Sequence, residues 1–298
     1  MLYNVEAPGE WGSMRASAQV QTATETLAMA DGCKLFLRSW KTEGRDVLLL
    51  AHGLGAHGGW FIDMGNELAA SGLSVYVVDH RGFGRSEGQP GHVERGANYI
   101  EDLATVLKEM RSRHASGDAR FFLLGHSMGG IFATHLAAQH GGLLDGVIFL
   151  NPWVQDSSKV SLGMTLGIFG GGLLRSRRYW RVPGGTPVMT TNPEAIRMLE
   201  ADPYWRREFT ANFLLEIFRM RLQVLKLAPR ITLPALVIQA KQDKSVVLAA
   251  SRKLYEALGS QDKTWKTSPN YAHDTELEAD RTQFDRDIIE WIQARQQK

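Results

Sequence analysis

The sequence predicts a doubly wound α/β fold, a mostly parallel sheet whose core is interrupted by an inserted helical cap. Three observations predict it. Short runs that are apolar on both faces recur at wide spacing, amphipathic stretches lie between them, and the alternation breaks between Pro152 and Pro234. Strands without an alternating polar side belong in a parallel sheet covered on both faces, and β and α segments in alternation build such a sheet.

Taken in chain order, residues 26–40 alternate enough for an antiparallel hairpin turning at Asp31-Gly32. The apolar runs 47–50, 75–78, 121–124, 147–150 and 235–238 follow as strands. Tyr99, Ile100, Leu103, Val106, Leu107 and Met110 recur at three- and four-residue steps, which predicts an amphipathic helix. Phe132, Ala133, Leu136 and Ala137 continue a second. Residues 275–297 read as a closing helix with Phe284, Ile288, Ile289 and Ile292 on one face. Residues 152–233 hold Gly170-Gly171-Gly172, a basic patch at Arg175, Arg177 and Arg178, and expected helices over 193–200 and 209–227. This stretch is the cap. Residues 21–151 and 234–298 form the core, and residues 1–20 are expected to be loosely ordered.

Composition narrows the function classes. Among 298 residues, 34 Lys and Arg stand against 32 Asp and Glu, a net charge of +2, without a basic run. Nothing there favours nucleic acid as a partner. The single cysteine, Cys33, excludes a disulfide framework and a multi-cysteine metal site. The N-terminal stretch carries Glu6 and Glu10 and lacks a continuous apolar segment, so it does not read as a secretory signal. No stretch reaches the ~20 apolar residues of a membrane span. The cytoplasm is the expected compartment.

The chemistry begins at Gly125-His126-Ser127-Met128-Gly129-Gly130. A G-x-S-x-G motif between a strand and a helix is a nucleophile elbow. The turn strains the serine backbone, the flanking glycines avoid collision, and the serine oxygen stands at a helix N-terminus. A serine needs a base, and this elbow expects an acid and then a histidine downstream. Asp243 follows the strand at 235–239, with Asp262 and Asp274 as nearby rivals; His273 follows the turn 268–272. Of the nine histidines, only His273 has that order and loop context. His126 is expected to pack beneath the nucleophile. An oxyanion hole would use the N–H of Met128 and one from the loop His52-Gly53-Leu54-Gly55-Ala56-His57-Gly58-Gly59, where Leu54 is the candidate.

Together with Asp79-His80-Arg81-Gly82-Phe83-Gly84-Arg85-Ser86-Glu87-Gly88, these motifs resemble the monoacylglycerol lipase and lysophospholipase branch of the serine α/β-hydrolases, from about Thr26 to the C-terminus. The resemblance implies an α/β-hydrolase fold, a triad of Ser127, Asp243 and His273, oxyanion donors Leu54 and Met128, no metal or organic cofactor, and a cap over an apolar acyl channel. In some members the cap touches membrane. The chain departs from the branch at Ala56, where an acid is common, at Trp60-Phe61 in place of Arg-Tyr, and at Phe83 in place of His.

The expected activity is two-step hydrolysis of monoacylglycerol-like or lysophospholipid-like esters through an acyl-enzyme. Thioesterase, lactonase, amidase and perhydrolase activities use the same machinery, and a non-catalytic binding module is the alternative from another class. Trp60, Trp153, Leu166, Ile168, Phe169 and Leu173 are the candidate substrate contacts. The Gly-rich apolar stretch 161–174 and the arginines after it also suit an anionic lipid surface.

Overall fold

The computed structural model describes residues 22–114, 118–157, 161–182 and 189–295. The stretch 1–20, expected to be loosely ordered, lies outside the described residues. The chain enters as the expected hairpin, β1 (Thr22–Ala28) and β2 (Lys34–Trp40), with Leu27 opposite Leu35. Its reversal is closed by Gly32 N–H donating to Met29 O at 2.9 Å. Next come β3 (Asp46–Ala51), β4 (Ser74–Val78), β5 (Arg120–His126) and β6 (Gly146–Leu150). Two short strands, β7 (Tyr179–Arg181) and β8 (Glu208–Thr210), pair with each other, and β9 (Ala235–Ala240) and β10 (Lys263–Ser268) complete the main sheet. Its order is β1-β2-β4-β3-β5-β6-β9-β10. β2 pairs antiparallel with both β1 and β4; the remaining pairings of this sheet are parallel.

All five predicted apolar runs are strands of this sheet, and every position of β3, β4, β6 and β9 is buried. Successive side chains point to opposite faces, which separates two cores. Val47, Leu49, Leu123 and Phe149 face α2 (Ala97–Arg113) and α3 (Met128–His140). Leu48, Leu50, Leu124 and Ile148 face α1 (Ile62–Ala70) and the C-terminal helix. The six residues that predicted α2 are all buried against the first face. The sequence did not announce β10. It reads KTWKTS, lies half-buried at the sheet edge, and offers no apolar run.

Between β6 and β9 the chain carries α4 (Leu162–Leu173), α5 (Pro193–Ala201), α6 (Ala211–Arg221) and α7 (Val224–Leu227). The expected helix over 209–227 is corrected. Phe209 belongs to β8, Thr210 is extended and caps α6 by accepting from Phe213 N–H, and the helix breaks before α7. The 193–200 helix is α5, capped by Asn192 accepting from Glu194 N–H. Gly171 and Gly172 of α4 face α6: a Cβ on Gly171 would lie 2.9 Å from Ala211 Cβ, and one on Gly172 2.6 Å from the Leu215 side chain. That packing leaves Leu162, Leu166, Leu173 and Leu174 exposed on the outer face. Phe213, Ile217 and Met220 of α6 join the first core, so on this side the insert is continuous with the sheet domain.

After β9, α8 (Leu248–Ala257) leads to β10, and α9 (Thr282–Gln293) closes the fold. The closing helix thus begins seven residues later than the expected start at 275 (282 − 275). Residues Thr275–Leu277 form a separate 3-10 turn with buried side chains, because they belong to the loop that delivers His273. The predicted apolar face stands, with Phe284, Ile288 and Ile292 buried. No described helix is long and apolar enough to cross a membrane.

Candidate active site

The site lies at the C-terminal ends of β5, β9 and β10, where an open parallel sheet collects its ligands. Ser127 sits between the last residue of β5 and the first of α3, at φ 51° and ψ −113°. A non-glycine residue there carries strain of order 1–3 kcal/mol. The surroundings hold it. Ser127 N–H donates to Leu150 O at 3.0 Å, and Ser127 O accepts from Gly130 N–H at 2.9 Å and Trp153 N–H at 3.0 Å. The motif's second glycine is needed because a Cβ on Gly129 would stand 2.0 Å from the Ala51 carbonyl oxygen.

His273 Nε2 lies 2.8 Å from Ser127 Oγ, and His273 Nδ1 lies 2.7 Å from Asp243 Oδ2. A carboxylate can only accept, so Nδ1 carries the proton and Nε2 is left to accept from the serine hydroxyl. Asp243 is held in turn. Its Oδ1 accepts from Ser245 N–H at 2.7 Å and Val246 N–H at 3.0 Å, and its Oδ2 also accepts from Gln239 Nε2 at 3.0 Å. Ser251 Oγ donates to Gln239 Oε1 at 2.6 Å and fixes that amide. Burial pulls His273 down, but the charge and hydrogen bond of Asp243 outweigh it and leave the imidazole above its ordinary 6.5. Burial pushes Asp243 up, while His273 and the two backbone N–H groups more than reverse that and keep it below 3.8. Of the three aspartates open from the sequence, only Asp243 meets the imidazole in this way. Asp262 pairs with Arg295, and Asp274 approaches His126 instead.

Met128 opens α3, so its N–H is among those a helix leaves without an internal acceptor. The loop bearing Leu54 lies against the elbow, since a Cβ on Gly53 would be 3.1 Å from Ser127 Cβ. The 79–88 motif braces this loop. Asp79 accepts from Gly58 N–H at 2.6 Å and Arg85 N–H at 2.8 Å. His52 Nε2 accepts from His80 N–H at 3.0 Å, and Nδ1–H donates to Gly53 O at 2.8 Å. Burial pushes His52 down to about 3, which keeps that ring neutral and its tautomer fixed.

The insert clamps the same loop from outside. His57 Nδ1 accepts from Gly59 N–H at 3.0 Å, so Nε2–H donates to Asp202 Oδ2 at 2.8 Å. Trp60 Nε1–H donates to the same oxygen at 2.7 Å, and Arg206 N–H donates to Gly55 O at 3.0 Å. Trp60, a candidate substrate contact, is therefore buried and tied to the insert. Trp153 is half-buried beside the Ser127 backbone, with Nε1–H on Asp156 at 2.6 Å. Ile168 and Phe169 are half-buried, and Phe169 stands edge-on to Phe218. Leu166 and Leu173 are 64% and 67% exposed. The expectation that they contact substrate is corrected: Gly167, Gly171 and Gly172 take the packed side of α4, and the two leucines are left exposed.

Several residues at the site had no signal in the sequence. Asn151, at φ 42° beyond β6, donates to His273 O at 2.6 Å and accepts from Ala240 N–H at 2.7 Å. His57, Asp202, Gln239 and Glu276 also escaped. Among the described residues one group could hold a metal ion: His126, His273 and Asp274 have ligand atoms within 4.8 Å. Both His273 nitrogens are already engaged there, so a metal would displace the serine or aspartate contact.

A family model described as serine aminopeptidase, S33, matches residues 42–280. Monoacylglycerol lipase of Mycolicibacterium smegmatis is 26% identical over 277 residues, covering 90% of this chain and 95% of that one. Monoglyceride lipase of mouse is 28% identical over 247 residues, 80% of each chain. Among solved structures, the monoacylglycerol lipase of Paleococcus ferrophilus superposes with a TM-score of 0.78 at 25% identity, over 86% of this chain and 97% of the other. A soluble variant of the Saccharomyces cerevisiae monoglyceride lipase, in complex with a substrate analog, shares the fold with a TM-score of 0.83 at 19% identity, over 96% and 98%.

Proposed function

The chain belongs to the serine aminopeptidase S33 family of α/β-hydrolases, and from that premise we propose that it is a serine carboxylic-ester hydrolase of monoacylglycerol-like substrates, with Ser127, His273 and Asp243 as its triad. The observation that carries this reading is the continuous chain from Ser127 Oγ to His273 to Asp243, at 2.8 and 2.7 Å, on a strained elbow. Ser127 attacks the ester carbonyl while His273 Nε2 takes its proton. Asp243 stabilises the imidazolium. The N–H groups of Leu54 and Met128 receive the oxyanion. His273 returns the proton to the leaving alcohol, then activates water to free the acid. No step calls for a metal or organic cofactor. The family relatives are named for monoacylglycerol or monoglyceride hydrolysis, which supports that substrate class over the thioester, lactone and amide alternatives.

In this reading the enzyme works in the cytoplasm and meets its lipid through the cap. Leu162, Leu166, Leu173 and Leu174 form an exposed apolar face beside Arg175, Arg177 and Arg178, a composition suited to an anionic lipid surface. Co-sedimentation with vesicles tests this. Recovery in the pellet with anionic but not neutral lipid is expected, and equal recovery in the supernatant with both contradicts it. The activity is tested on a panel of monoacylglycerols, lysophospholipids and p-nitrophenyl esters. Monoacylglycerol hydrolysis that Ser127→Ala abolishes is the expected outcome. Hydrolysis confined to thioesters or lactones would overturn the substrate class.

A further inference from the structure

Behind the triad lies a buried group that the mechanism does not use. The His126 ring is fully buried, with Nε2 3.2 Å from the main-chain oxygen of His273. A carbonyl can only accept, so Nε2 carries a proton and donates. In a neutral ring Nδ1 is then a bare acceptor. It has no hydrogen-bond partner, and Oε1 of Glu276 lies 3.5 Å from it. Glu276 is 0% exposed and neither of its carboxyl oxygens has a hydrogen-bond partner on another residue. Two buried, unpartnered acceptors facing each other are repulsive unless one proton lies between them.

We propose that Glu276 is a neutral carboxylic acid that donates to His126 Nδ1, and that the pair acts through His126 Nε2–H to hold the His273 main chain in place behind Ser127. Both are positioning residues, and the inference rests on the triad reading given above. Asn151 Nδ2 donates to the same His273 oxygen at 2.6 Å, so the carbonyl is gripped from the end of β5 and from the residue just after β6. The imidazole must meet Ser127 Oγ and Asp243 Oδ2 at once, and a shift of its backbone would break both contacts. The wider surroundings agree. Burial pushes Glu276 well up and His126 down to about 3, which leaves the shared proton on the acid. Arg281 is engaged with Asp285 at 2.9 Å, approaches Asp63 at 3.9 Å, and meets Glu276 only at its main-chain oxygen, 3.5 Å from Nη1. Asp274 Oδ1 stands 3.6 Å from His126 Nε2, on the donating side of the ring.

Glu276→Gln and Glu276→Leu in the full chain separate the roles, with Ser127→Ala measured alongside on a monoacylglycerol. Gln can donate an amide N–H to Nδ1 and should keep kcat within about threefold, whereas Leu removes the donor and should lower kcat by roughly tenfold or more at unchanged KM. Equal kcat in wild type and Glu276→Leu, or a Gln variant no better than Leu, overturns the proposal. Activity that survives Ser127→Ala instead overturns the triad reading. Nitrogen-15 spectra of the wild-type histidines give a test independent of the variants. They should show His126 protonated at Nε2 and bare at Nδ1, and the reverse tautomer or a doubly protonated ring contradicts the assignment.

Discussion

Replacing Asp243 by Asn should leave the fold standing and remove nearly all turnover. Asp243 makes four hydrogen bonds, two at each oxygen: Oδ1 with Ser245 and Val246 N–H, Oδ2 with His273 Nδ1 and Gln239 Nε2. An amide has one acceptor oxygen. If it keeps the two backbone N–H groups, the NH2 turns toward His273 and Gln239. It can only donate, so Nδ1 must accept and Nε2 must carry the proton. The imidazole then presents an N–H to Ser127 Oγ and cannot take the serine proton. Gln239 cannot relieve the conflict by turning over without disturbing its 2.6 Å bond with Ser251. The loss from a wrong tautomer is on the order of 10⁴ in kcat, or about 5.5 kcal/mol at 1.36 kcal/mol per decade. The assay is kcat on a monoacylglycerol at saturating substrate, with a thermal melt to show that the variant folds. A kcat within tenfold of wild type would refute the reasoning, because the carboxylate would then not set the tautomer.

Other expectations follow from the same geometry. Because His273 is held above 6.5, kcat/KM should rise with pH through an apparent value above 6.5; a plateau already complete at pH 6 contradicts this. The folded imidazole binds its proton more tightly than the unfolded one, so the stability it contributes is full below 6.5 and is lost as pH rises through the folded value. Asp243 behaves oppositely, contributing above 3.8 and losing that contribution as pH falls through its lowered value. Asp274 is pushed up to about 7, chiefly by burial, so the unfolded carboxyl ionises first and stability falls as pH rises from about 4 to 7. Asp274→Asn should shrink the fall in stability between pH 5 and 8 in urea melts, leaving the share of Glu276 and His273, and an undiminished fall contradicts the assignment. Asp202→Ala strips the acceptor from His57 Nε2–H and Trp60 Nε1–H, at about 1–3 kcal/mol for buried donors left unpaired. A lower melting temperature and a lower kcat should accompany each other; wild-type values of both would show that the clamp does not support the loop bearing Leu54.

What was legible in the sequence was local. Buried strands wrote themselves as runs apolar on both faces, and α2 as a three- and four-residue repeat. The elbow could be read because strand, Ser127, flanking glycines and helix are contiguous. The departures at Trp60-Phe61 and Phe83 could be read as departures, but their partners lie far along the chain. Trp60 binds Asp202, Phe61 packs edge-on to His126, and Phe83 packs against His52 and Phe213. What was not legible joins distant segments. Asn151 meets His273 across 122 positions and His57 meets Asp202 across 145, and no periodicity marks either pair. The glycines of α4 misled in another way. In a stretch read as substrate-lining, Gly167, Gly171 and Gly172 form the packed side, which leaves Leu166 and Leu173 outward.

The central claim is that Ser127 is the nucleophile, activated by His273. A fluorophosphonate probe followed by peptide mass mapping tests it most directly. The account predicts one adduct per chain, located on Ser127, and none on Ser127→Ala. An unlabelled wild type, an adduct on a different residue, or equal labelling of Ser127→Ala would contradict it.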